Sequence, residues 1–176
     1  MIKPGRFFLR SFLILSLISS FGCGYTRKTV LPQEMKTIYV DTVKNEIPLD
    51  HLYAYQPGLE IDITNAIIRR LQQDGILQVA KREDADVILD SKLIGYEQEG
   101  LRFTSLESIE EYRLFIALNM TLINSKTKEV IWRERNFSGD AEYFVSGVRS
   151  LAREEASHRA IDRLARNVVD RIVEDW

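Results

Sequence analysis

Residues 111–124 read EYRLFIALNMTLIN. Tyr112, Leu114, Ile116, Leu118, Met120 and Leu122 alternate without a break, and Arg113, Phe115, Ala117, Asn119, Thr121 and Ile123 fill the positions between them. A period of two over this length is the pattern of a β-strand with one face in the core and a mixed face turned away from it. Residues 124–128, NSKTK, carry Asn, Ser and Thr side chains that bond their own backbone, so the chain turns there. Residues 129–137, EVIWRERNF, return as the antiparallel partner.

Working outward, residues 85–99, ADVILDSKLIGYEQE, set Val87, Leu89 and Leu93 against Ile88, Asp90, Lys92, Ile94 and Tyr96, which predicts another long strand. The polar stretch 100–110, GLRFTSLESIE, reads as a long hairpin loop. Further upstream, KTIYVDTV (36–43) has the β-branched content of a first strand, ILQVA (76–80) adds a short one, and 44–58 reads as loop. Between them Leu59, Ile63, Ile67 and Leu71 recur every four residues, with Pro57 at the start, acids Glu60 and Asp62 in the first turn and Gly75 just beyond the end: a helix. From about 148 to 174, Ala152, Ala156, Ile161, Leu164, Ala165, Val168, Ile172 and Val173 keep helical spacing over about 40 Å. The expected architecture is α+β, with two helices packed on one face of a roughly four-stranded mixed, antiparallel-rich sheet.

Two helices cover only one face of such a sheet. The covered face takes Leu114, Ile116, Leu118 and Met120 with Val87, Leu89, Val130 and Trp132. Strand parity then puts Lys92, Arg113, Arg133 and Arg135 on the open face among Ile94, Tyr96, Phe115, Ile131 and Phe137, with Asp90 as the nearby acid. A locally basic face of this kind receives phosphates in its Arg forks and apolar groups on its aromatics. The alternative is an ordinary solvated antiparallel face with scattered hydrophobics.

The chain start is built for export. Lys3, Arg6 and Arg10 precede a short apolar run, Phe12 to Ile18, and small residues lead to Cys23, the only cysteine. "SSFGCGY" resembles the lipobox of bacterial lipoproteins, in which the thiol is acylated and the chain is cut before it. Ser20 and Phe21 depart from the usual residues there. The expectation is a signal peptide at 1–22, a lipidated tether at 23–36 and a single α+β sandwich domain at 37–176. Removing 1–22 takes three cations and no acid and moves the net charge from −2 to about −5. Two or three acyl chains on Cys23 anchor a protein stably, where one is marginal.

Catalysis and nucleic-acid binding find little support. The net charge and the export signal argue against nucleic acid. His51 and His158 stand apart, with no His/Cys cluster at metal-ligand spacing and no nucleophile motif, so no metal and no cofactor are expected. Glu110 and Glu111 point to opposite faces of a strand, and Glu154 and Glu155 with Arg159 have the spacing of ordinary helix pairing.

Taken in order, "GCGY", "IYVDTVKN", "PGLEIDITNAIIRRLQQDG", "ADVILDSKLIGYE", "EYRLFIALNMTLINSKTKEVIW" and the terminal "IVEDW" resemble the LptE family of lipopolysaccharide-assembly lipoproteins. Loops 46–56 and 99–108 are longer than that pattern. The resemblance implies a non-enzymatic outer-membrane lipoprotein on the periplasmic side, a plug in an LptD-type β-barrel that helps assemble it and deliver lipopolysaccharide. Gly24 in place of aspartate after the cysteine fits an outer-membrane destination by the same resemblance. The competing expectation is an envelope lipoprotein that binds peptidoglycan or a secretion channel on the same framework.

Overall fold

The computed structural model describes residues 35–48, 57–145 and 149–173. Its elements are β1 (Thr37–Val40), β2 (Lys44–Asn45), α1 (Leu59–Asp74), β3 (Gln78–Val79), β4 (Val87–Phe103), β5 (Ile109–Asn124), β6 (Val130–Phe144) and α2 (Arg149–Val173). They form one α+β layer pair with sheet order β3-β1-β4-β5-β6, and β2 also lies along β4. β1 runs parallel to both β3 and β4, α1 providing the crossover that two parallel strands need, while β4, β5 and β6 are antiparallel. Among the described residues the sheet has six strands and not about four. The expected first strand, 36–43, keeps only Thr37–Val40 as β1, and β2 falls in the stretch 44–58 that reads as loop, because a two-residue strand is too short to show a period.

The helices form for the reasons their sequences suggest. α1 buries Leu59, Ile63, Ala66, Ile67 and Leu71 and stops where Gly75 takes φ 74° and donates its N–H to Leu71 O at 3.0 Å. Pro57 is not the first helical residue; Gly58, at φ 95°, stands between it and Leu59. α2 buries Ala156, Ala160, Ile161, Leu164, Ala165, Val168, Val169 and Ile172. The core lies between these stripes and one sheet face, where Leu114, Ile116, Leu118, Met120 and Leu122 of β5 are at most 1% exposed. Each such aliphatic chain contributes about 1.5–3 kcal/mol of burial.

Bulges revise the parity of the two strands that flank β5. The β4–β5 register shifts between Leu93 and Gly95, so Tyr96 pairs with Ile116 and is buried in the core instead of lying on the open face. A shift between Leu118 and Met120 brings Phe137 opposite Leu118, partly buried against the core. A third, between Leu122 and Ile123, packs Ile131 against the core and leaves Val130, an expected core residue, 42% exposed. The expected long loop 100–110 is mostly strand: β4 runs to Phe103, β5 starts at Ile109, and Thr104 N–H bonds Ser108 O at 2.7 Å to close a tight turn.

α2 is stitched along the outer edge of β6. Arg159, Arg163, Asn167 and Arg171 recur every fourth residue and meet β6 at positions 142, 140, 138 and 134. Arg159 donates to Glu142 O (2.8 Å), Arg163 to Asp140 (3.3 Å), Asn167 to Ser138 O (3.3 Å) and Arg171 to Glu134 (2.7 Å). Arg159 therefore bonds strand backbone in place of the helix pairing expected for it. Two edge carbonyls are occupied, which blunts this edge against further strands.

At the start of β1, Asp86 gathers the chain. Its carboxylate accepts the N–H groups of Lys36 (3.0 Å) and Thr37 (3.2 Å), the Thr37 hydroxyl (2.9 Å) and Lys126 Nζ (3.1 Å). These donors, the Lys36 amide foremost, hold its pKa well below the usual carboxylate range.

Candidate functional site

The face of β4–β5–β6 turned away from the helices is the surface on which the sequence placed its candidate cations. On β5 it carries Arg113, Phe115, Ala117, Asn119, Thr121 and Ile123, all partly exposed. Lys92 of β4 stands opposite Asn119, and Arg133 of β6 opposite Thr121. Asn119 Oδ1 accepts the N–H of Asn136 (3.1 Å), a residue at φ 52° in the β6 bulge next to Arg135. Lys92, Arg133 and Arg135 thus gather about one stretch of β5. Arg113 lies six residues further along, about 20 Å away at strand rise.

The four cations also differ in what already holds them. Lys92 Nζ is 2.7 Å from Glu46, and its neighbour Lys44 is 2.9 Å from Asp90, a bond that raises the Lys44 pKa. Arg113 is bonded to Glu142, lies 3.8 Å from Asp140, and has its guanidinium 5.8 Å from the Phe115 ring centre. Glu142 is the main cause of its raised pKa, and Glu99 stands opposite it on β4. The face as a whole is therefore mixed in charge and not uniformly basic. Arg133 and Arg135 are exposed and have no ion pair among the described residues, so their guanidinium donors face solvent. Chemically this end offers two open forks beside Ala117, Ile123 and polar Asn119: a place for an anionic group with apolar material attached.

The other sequence candidates fall elsewhere. Cys23 and His51 lie outside the described residues. His158 is exposed on α2, at a cleft of about 390 Å³ between the helices lined also by Asp62, Glu154 and Ser157. No cluster of three metal-ligating side chains occurs among the described residues. Glu111 is buried beside Arg102 at 3.4 Å, and Glu110 is exposed, so the two carboxylates do not share a site. No described helix is long and apolar enough to cross a membrane.

Sequence reasoning missed two features. The cation spacing of 159, 163 and 171 was visible, but its partners are strand acids and carbonyls that helix periodicity does not reveal. The exposed apolar residues Leu101, Phe103 and Leu106 were hidden by the loop assignment.

Comparison with known proteins gives these geometries a context. Residues 35–176 match the family model described as "LptE: Lipopolysaccharide-assembly". No curated protein gives a significant match. Among solved structures, a protein from Xanthomonas campestris is similar at TM-score 0.55 and 15% identity, covering 78% of this chain and 84% of that one. A minor lipoprotein from Acinetobacter baumannii has TM-score 0.50 and 12% identity, covering 80% and 97%. An uncharacterized lipoprotein B from Nitrosomonas europaea has TM-score 0.50 and 13% identity, covering 85% and 92%. At these identities the structural likeness concerns the fold.

Proposed function

Because the chain belongs to the LptE family of lipopolysaccharide-assembly proteins, we propose that it is a non-enzymatic outer-membrane lipoprotein on the periplasmic side, anchored by acyl chains on Cys23. In this role it plugs an LptD-type β-barrel, helps that barrel assemble and assists delivery of lipopolysaccharide. The observation that carries the proposal is the helix-free sheet face, where exposed Arg133 and Arg135 adjoin apolar side chains. A lipid A headgroup presents phosphates and acyl chains together, which is the pairing this face accommodates. Lys92 and Arg113 belong to the same face and join in by exchanging a carboxylate partner for phosphate.

Three measurements test this. Tagged full-length protein extracted from membranes is expected to bring down a barrel of outer-membrane size, and Cys23→Ala is expected to abolish incorporation of labelled fatty acid into the protein. Arg133→Ala with Arg135→Ala is expected to weaken lipopolysaccharide binding about tenfold or more, since each fork loses charge-assisted hydrogen bonds. Unchanged binding removes the two arginines from the site, and a barrel-free monomer removes the plug.

A further inference from the structure

Where the first turn of α1 meets α2, the two helices frame the cleft of about 390 Å³ at His158. Pro57, Leu59 and Ile161 give it apolar walls, while Asp62 from α1 and Glu154, Ser157 and His158 from α2 line it with polar side chains. Positions 154, 157, 158 and 161 form one stripe of a helix, so α2 presents them together. Neither carboxylate has an ion pair among the described residues. Elsewhere in the molecule Asp86, Asp90, Glu134 and Glu142 each hold a cation. Ser157 is 4% exposed, and its hydroxyl makes no hydrogen bond to a described residue. Thr64, a buried hydroxyl on α1, shows the usual alternative: it donates to Glu60 O (2.6 Å) and accepts the N–H of Val43 (3.0 Å).

Two carboxylates drawn to one cleft repel each other, and a hydroxyl withdrawn from water without a partner costs free energy. A guest with positive charge and N–H donors removes both penalties. A metal ion does not fit, because it needs ligands gathered in one tight shell, and no cluster of three metal-ligating side chains occurs among the described residues. A primary ammonium does fit: it offers three N–H donors to separate acceptors, and an aliphatic stem finds apolar walls at Leu59 and Ile161. A quaternary ammonium carries the charge but has no N–H for Ser157. We propose that this cleft binds a primary ammonium on a short aliphatic stem, held by Asp62, Glu154 and the Ser157 hydroxyl and carried by a free diamine or by the ethanolamine headgroup of a phospholipid. The site lies on the helix side of the sheet, away from Arg133 and Arg135, and stands whether or not those arginines take lipid.

Calorimetric titration of the full-length protein in detergent tests it, with cadaverine as the free diamine and glycerophosphoethanolamine as the headgroup. The expected result is saturable binding of at least one probe, and the tighter of the two names the source. Asp62→Asn with Glu154→Gln is expected to weaken that binding about tenfold or more, and Ser157→Ala several-fold, since charge-assisted hydrogen bonds are lost. Asp62 and Glu154 are exposed and their replacements isosteric, so the fold is kept, which an unchanged thermal melt verifies. Binding of neither probe overturns the proposal. So does binding that survives the paired change at Asp62 and Glu154, or equal binding of cadaverine with both nitrogens trimethylated.

Discussion

Gly139 of β6 faces Leu164 of α2 so closely that a Cβ on the glycine would stand 2.6 Å from the leucine's amide nitrogen and from its Cβ, and equally near Ala160 O. Two of these atoms are backbone, so the helix itself must move to admit a methyl group. Gly139→Ala is expected to lower stability by about 1–3 kcal/mol, as overpacking does. Chemical denaturation checks it, and a neutral result means that α2 can lift off β6 at little cost.

Asp86 makes the start of β1 sensitive to acid. Its folded pKa is lowered, so the stabilisation is complete above its unfolded pKa of about 3.9 and is lost as pH falls from there toward the folded value. Asp86→Ala is expected to cost about 2 kcal/mol at neutral pH, and Asp86→Asn to flatten the acid limb of the stability profile. Thermal melts between pH 2 and 7 decide this; parallel profiles for wild type and Asp86→Asn contradict it.

Arg171 holds Glu134 at 2.7 Å and lies 4.9 Å from the centre of the Trp132 ring. Its loss in Arg171→Ala is expected to cost about 1–2 kcal/mol and to change Trp132 emission in a Trp176→Phe background. Unaltered emission would mean that the guanidinium does not rest on the indole in solution.

Glu46 occupies Lys92 in the free protein. Glu46→Ala frees that ammonium and is expected to tighten lipopolysaccharide binding by a few-fold if Lys92 serves the lipid. Weaker or unchanged binding, measured by the same titration as for the arginines, leaves Lys92 out of the site.

How far the sequence foretold all this depends on whether each strand keeps its count. β5 is uninterrupted, so its even residues identified the core face and its odd residues the open one. β4 and β6 each contain bulges, and one extra residue exchanges the two faces beyond it, which is why Tyr96 and Phe137 moved to the core side. Gly95 was the visible hint at the first of these. The charge of the open face was misjudged for a related reason: Glu46 lies in a segment with no period, and Asp140 and Glu142 lie beyond the part of β6 that the hydrophobic pattern reached. Contacts made by cations can be read from a sequence only once the paths of all neighbouring strands are known.

β1 is bonded along both sides to strands running in its own direction, and Asp86 pins its first residues. A load drawn through the chain ahead of Lys36, along the strand axis, therefore meets both rows of hydrogen bonds in shear, where they must rupture together instead of unzipping one by one. The domain is built to be towed from its front without unravelling.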